Sequence, residues 1–414
     1  MSQPDAAVAT KPSTGIPYWI KVVAVFFLGW LFMYADRTIL NPVMGNLQAE
    51  FGLSKADLGL INSVFFFAYA AMQIPSGMLG DKIGKKLILV PGFILFGVFT
   101  GISGLATTFA VFLIARALVG VGEGTYYGPQ YALSSEAVPT KYRTLGTAII
   151  NSGQAFGTAI GLIAASIITL EWNMSWRTPF YFFLIPTIIV GFLIWWIVKE
   201  EPKKKAEDSA ENAAPARKVK LSELFKNRNL VVTYITVFCS LYGFFMILTW
   251  LPFYLQTERG MQGSEVGFIS SLVAWASIPG ALVISRISDK LGKRKILALM
   301  LIPCAILSIV LTVYIQNYTV LILSLIFYGL TGKLALDPIL VSIVADNAPK
   351  EGYGTAFSLF NFIGMCSSII APYITGYLAD ITGSMAAGFY LAALLLGVGF
   401  ITMLFAKENK VPQA

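Results

Sequence analysis

Six ionisable residues stand inside long apolar stretches of this sequence: Asp36, Arg37, Arg116, Glu123, Lys333 and Asp337. Three are acidic and three basic, so the set can neutralise itself. A charge in a hydrocarbon setting costs about 3 kcal/mol or more, and such residues face a polar cavity or one another. The chemistry open to them is ion binding and proton exchange. Arginine and lysine can hold an anion, and buried carboxylates can take up and release protons. The sequence has no histidine, which removes the commonest general base and metal ligand. Cys239, Cys304 and Cys366 each lie in an apolar run, at spacings that fit neither a metal site nor a disulfide framework. They read as small buried hydrophobes. No cofactor and no metal are expected, and an enzyme or a receptor has little to rest on.

The spacing of the six charges is informative. At about 1.5 Å per residue along a helix, Asp36 and Arg116 fall at similar depth and are expected to pair. Glu123 lies two turns beyond Arg116 on the same face, near mid-membrane, with Gly120, Gly122 and Gly124 permitting close helix approach. Lys333 and Asp337 are one turn apart, so Asp337 can compensate the ammonium. Aligning Pro139 with Pro349 sets Glu123 opposite Lys333, which makes Lys333 a candidate for binding a substrate anion. A purely structural Lys333–Asp337 pair is the alternative.

These residues must be positioned by membrane helices. Of 414 residues, 56% are hydrophobic and only 13% charged, too few charges to cover a water-soluble fold of this length. A span needs about 20 mostly apolar residues. Such runs lie near 18–40, 57–79, 86–106, 109–132, 143–170 and 176–198. Six more lie near 228–256, 265–287, 296–316, 319–345, 352–378 and 384–406. The expected fold is all-α, with twelve transmembrane helices in two six-helix halves, 18–198 and 228–406. Residues 1–17 and 407–414 are read as tails. The charged, Ala-rich stretch 199–227 is read as a linker, with a regulatory role as the alternative. The polar stretch 1–17 lacks a signal-peptide core.

The net charge of +8 does not indicate nucleic acid, because the basic residues sit in short loops between apolar runs. They are strongly one-sided. Only Lys55, Arg177 and Arg259 fall on one side; apart from Arg37, Arg116 and Lys333 within spans, all others fall on the side of the termini. The positive-inside rule then places both termini in the cytoplasm. Trp172, Trp176, Trp195, Trp196 and Trp250 lie near span ends and are expected as interfacial anchors. The row Gly153, Gly157, Gly161 is expected to form a helix contact.

The two halves also repeat. After the second run stands G-M-L-G-D-K-I-G-K-K, Gly77 to Lys86, and after the eighth S-R-I-S-D-K-L-G-K-R, Ser285 to Arg294. This resembles the loop signature of the major facilitator superfamily, with Ser285 replacing the expected glycine in the second copy. The resemblance implies alternating access by two rocking halves, with Asp81 and Asp289 as conformational latches near helix ends.

A narrower resemblance rests on Tyr-Ala-Asp-Arg at 34–37, Tyr69 ahead of Gln73-Ile74-Pro75, Arg116 with Glu123, and Ser152-Gly153-Gln154. These are similar to the anion:cation symporters, which include sugar-acid (hexuronate and aldonate) and sialin-like carriers. The resemblance implies protonatable carboxylates at Asp36 and Glu123, an anion contact at Arg37, and cavity-lining polar groups at Tyr69, Gln154 and Asn361. The seventh run has Leu241 to Phe245 where sugar-phosphate antiporters carry an arginine, which disfavours that cargo. The expectation is a proton-coupled symporter of a small organic anion in the cell membrane, acting as a monomer. A proton-independent anion exchanger and a carrier of neutral sugars or drugs are the alternatives.

Overall fold

The computed structural model describes residues 16–200, 221–349 and 353–408. Twelve helices among them are long and apolar enough to cross a membrane. Spans 1 to 6 are Tyr18–Phe51, Lys55–Ile83, Lys85–Leu105, Phe109–Ala137, Leu145–Glu171 and Thr178–Ile197. Spans 7 to 12 are Arg228–Thr257, Glu265–Ser288, Arg294–Tyr314, Tyr318–Asn347, Thr355–Thr382 and Ala386–Leu404. Helix is the necessary form here, since lipid offers no partner for an unbonded backbone group. Several span starts are capped by neighbouring side chains of the same segment. Ser54 and Asp57 form a capping box at span 2, Thr108 caps span 4 and Asn317 caps span 10.

Spans 1 to 6 pack chiefly on one another, as do spans 7 to 12; the two bundles meet where span 2 lies along span 11 and span 5 along span 8. The first described span begins, and the last one ends, on one face. There the Tyr18 hydroxyl, at the start of span 1, accepts from the Lys199 backbone N–H at 2.8 Å. Asn229, at the start of span 7, accepts from the Lys407 N–H at 2.7 Å. We call this the terminal face and the opposite one the far face.

The repeat in sequence recurs as a repeat in contacts. On the terminal face Glu200 accepts from the backbone N–H groups of Lys85 and Lys86 at 2.7 and 3.1 Å, capping span 3. Glu408 does the same for span 9, through Lys295 and Ile296 at 3.2 and 3.3 Å. The ion pair Lys85–Glu136 is echoed by Arg294–Asp346 at 2.8 Å.

Backbone approach is close where small residues recur. A Cβ on Gly157 would stand 2.1 Å from the Leu31 carbonyl oxygen, and one on Gly153 2.5 Å from that of Phe27. The expected glycine row therefore seats span 5 directly on span 1. Three tryptophans, Trp172, Trp195 and Trp196, are exposed as anchors should be. Trp176 and Trp250 are not. Trp250 is fully buried and donates to the Pro372 carbonyl at 3.0 Å, tying span 7 to span 11. Trp176 donates to Glu50 at 2.6 Å.

Candidate functional site

Span 1 carries Trp30, Tyr34 and Arg37 at i, i+4 and i+7, so all three lie on one face. That face borders a cavity of about 610 Å³ between the two bundles. The opposing wall comes from span 7 (Leu241, Phe244, Phe245), span 10 (Lys333, Asp337) and span 11 (Asn361). The cavity runs toward the terminal face, where Gln73, Tyr131, Ile149 and Leu282 line it. It is closed toward the far face by hydrogen bonds between the bundles. Asn41 donates to the Leu248 carbonyl at 2.8 Å and Gln256 to that of Pro42 at 2.9 Å.

Arg37 Nε donates to Glu123 Oε2 at 2.6 Å, and both side chains are almost completely buried. The guanidinium lies 4.7 Å from the Tyr34 ring and 4.6 Å from the Tyr69 ring, a cation–π arrangement. Arg37 Nη2 and Glu123 Oε1 have no hydrogen-bond partner among the described residues. Arg37 borders the cavity; Glu123 stands behind it.

The second pair lies deeper. Arg116 Nη1 donates to Asp36 Oδ2 at 3.0 Å, and Thr100 Oγ1 donates to Asp36 Oδ1 at 2.5 Å. Asp36 and Arg116 are sealed, and neither reaches the cavity. The pairing expected from depth is present. The ring of Phe65 stands within 5.6 Å of the Arg37 guanidinium and 5.2 Å of that of Arg116, separating the two pairs.

The third pair faces the other bundle. Span 10 is broken: one helix runs Tyr318–Thr331 and the next Lys333–Asn347, with Gly332 extended between them at ψ −155°. Lys333 is thus a mid-span residue that is also the first residue of a half-helix. Its Nζ donates to Asp337 Oδ2 at 3.4 Å, with side chains 16% and 34% exposed, and lies 5.7 Å from the Phe244 ring. This pair is longer and more open than the other two. Span 4 is also interrupted, between Gly124 and Tyr127, but there Thr125 and Tyr126 keep helical backbone angles and no residue is extended.

The structure brings Arg37, Tyr69, Gln154, Lys333, Asp337 and Asn361 to one cavity; Glu123, Asp36 and Arg116 stand behind its wall. Asp81 lies on the last turn of span 2, exposed and without an ion pair among the described residues. The Asp289 side chain lies outside the described residues. Sequence reasoning missed Trp30, Tyr127, Tyr131 and Asn151. Their signal was present as helical spacing: Tyr127 and Tyr131 are one turn apart, and Tyr131 donates to Asn151 Oδ1 at 2.8 Å.

Two broken spans at a central cavity between duplicated bundles agree with the comparisons. The pattern of the Major Facilitator Superfamily matches residues 26–264 and 255–414. The chain belongs to that superfamily. It is a multi-pass protein of the cell membrane, and its family and relatives are transporters. It is 30% identical over 409 residues to a probable galactarate/D-glucarate transporter of Bacillus subtilis, covering 88% of this chain and 86% of that one. A hexuronate transporter of the same organism is 27% identical, covering 90% and 91%. A cis,cis-muconate transport protein of Acinetobacter baylyi is 28% identical, covering 94% and 95%. Among solved structures, a bacterial homologue of the human lysosomal transporter Spinster superposes with a TM-score of 0.80 at 16% identity, covering 94% and 97%. A D-xylose-proton symporter gives 0.75, also at 16%, covering 96% and 98%. Both share the fold.

Proposed function

We propose that this transporter carries a small organic anion, a carboxylate, by proton-coupled symport. The observation that supports this most directly is the Arg37–Glu123 pair: a cation at the cavity wall, held by a carboxylate behind it. A proton on Glu123 removes its charge and leaves the guanidinium to an incoming carboxylate. A proton and an anion then load together, and the site stays neutral as it crosses, which lowers the cost of moving it through a low-dielectric region. Asp36, paired with Arg116, is the second proton-coupling carboxylate. Lys333 binds the anion from the opposite half, and Tyr69, Gln154 and Asn361 supply hydrogen bonds. The similar transporters named for galactarate/D-glucarate, hexuronate and muconate agree with a carboxylate cargo.

The halves 18–198 and 228–406 are the rocking units of a monomer. The one-sided lysines and arginines put the terminal face in the cytoplasm, so the conformation described opens inward. Asp81 and Asp289 latch the terminal face when it closes.

Uptake of labelled carboxylates into vesicles, with and without an imposed pH gradient, tests this. Accumulation against a concentration gradient is expected only when the far side is the acidic one. Uptake independent of the pH gradient but driven by an internal anion would replace symport with exchange.

A further inference from the structure

Lys333 and Arg37 approach one cavity from opposite halves of the molecule. Each is neutralised by a carboxylate, and neither is saturated. Arg37 keeps Nη2 without a partner, and the Lys333 ammonium, which can donate three hydrogen bonds, donates one at 3.4 Å to Asp337. Between the two cations lies a chain of rings. Phe66 is 5.8 Å from the Arg37 guanidinium, Phe245 is 4.8 Å from Phe66, Phe244 is 5.5 Å from Phe245, and Lys333 is 5.7 Å from Phe244. A wall with cationic ends and an aromatic middle fits a molecule with acidic ends and a carbon skeleton between them.

We infer that the preferred substrate is a dianion, bound with one acidic group at Arg37 and the other at Lys333, so that it bridges the two halves. This rests on the organic-anion reading above and narrows it. A monoanion satisfies one cation only and leaves the other in its empty-state pair. A dianion engages both bundles at once, which couples occupancy to their relative position. One carboxylate stands beside each cation, Glu123 and Asp337, so each acidic end of the substrate has a group whose protonation frees its cation.

The test is calorimetric binding to the purified full-length transporter at fixed pH. The ligands are linear aliphatic dicarboxylates of increasing length and the monoamide of each. Blocking one acidic end is expected to weaken binding about tenfold or more, as loss of a charge-assisted contact does. In Lys333→Gln that advantage should vanish, the diacid binding no more tightly than its monoamide. Because Lys333→Gln leaves Asp337 without its partner, the double variant Lys333→Gln, Asp337→Asn is measured beside it, with the same outcome expected. Equal binding of diacid and monoamide by the unaltered protein would overturn the dianion and leave the organic-anion reading standing. So would a diacid advantage that persists in the double variant. Transport of neutral sugars with no binding of any carboxylate would overturn both readings.

Discussion

Glu171 and Asp380 occupy equivalent places in the two halves and make equivalent contacts across the boundary between them. Asp380, in the last turn of span 11, accepts from the backbone N–H groups of Lys55 and Ala56 at 3.0 and 2.8 Å, capping span 2. Glu171, ending span 5, accepts from the N–H and hydroxyl of Ser264 at 3.0 and 3.2 Å, at the start of span 8. Each carboxylate thus holds the N-terminus of a helix in the opposite bundle, where the helix dipole favours negative charge.

Both contacts lie on the closed far face, so alternating access must break them. Glu171→Ala and Asp380→Ala are each expected to shift the population toward a far-face-open state. A cap of this kind is worth about 1 kcal/mol, or roughly a fivefold change in the ratio of states. Spin labels at Asn173 and Gln262, exposed positions on opposite halves, would report it as growth of a long-distance population. Unchanged distance distributions in both variants would remove the two carboxylates from the gate.

Glu123→Gln makes permanent the neutral form that protonation produces. Arg37 is then free of its ionic partner at every pH. Binding of a monocarboxylate in this variant is expected to lose most of its pH dependence, while in the unaltered protein it strengthens as pH falls and Glu123 takes up its proton. Gradient-driven accumulation should be lost and one-for-one exchange kept. Titrating monocarboxylate affinity across a pH series in both proteins checks this; a pH dependence undiminished in Glu123→Gln would move the coupling proton elsewhere.

The architecture was legible in the sequence because membrane spans are written in composition, and the repeat in Asp81 and Asp289 gave the two halves. The Asp36–Arg116 pair followed from helical rise alone. The Arg37–Glu123 pair was not legible that way, since helix rotation is set by packing with neighbours and not by depth. Rise puts Arg116 and Glu123 on one face, yet Arg116 turns to Asp36, which also accepts from Thr100, while Glu123 turns to Arg37. Trp250 misled for a related reason. It sits near a span end, but span 7 is enclosed on most sides, and Trp250 faces span 11 instead of the lipid interface. The break at Gly332 carried a signal in the glycine itself, and its consequence for Lys333, the start of a half-helix, needed coordinates.

The glycine row on span 5 gives a stability prediction with an internal control. A Cβ on Gly157 would sit 2.1 Å from a backbone oxygen that cannot move without displacing span 1, whereas one on Gly77 meets nothing within 4 Å. Gly157→Ala is expected to lower the melting temperature in detergent by several degrees, since overpacking costs about 1–3 kcal/mol. Gly77→Ala should melt with the unaltered protein. Equal melting of both variants would mean that spans 1 and 5 can separate without cost.

The buried Asp36–Arg116 pair separates a structural charge from a functional one. Removing one member of a buried pair strands the other, at a cost of about 3–5 kcal/mol, while removing both can be nearly neutral. Arg116→Gln is therefore expected to lower thermal stability sharply, and Arg116→Gln with Asp36→Asn to recover most of it. Thr100→Val removes only the hydroxyl donated to Asp36 and should cost about 1.5–3 kcal/mol as a bond to a charged group. Stability alone does not test the proton-coupling role of Asp36, so uptake is measured in the double variant. If that variant folds and still accumulates substrate when the far side is acidic, Asp36 serves the fold and Glu123 alone carries the coupling. If it folds, binds the anion and no longer accumulates it, Asp36 is the second coupling carboxylate. The two outcomes share one stability profile and differ only in transport, so the recovered stability of the double variant is what makes the uptake result readable.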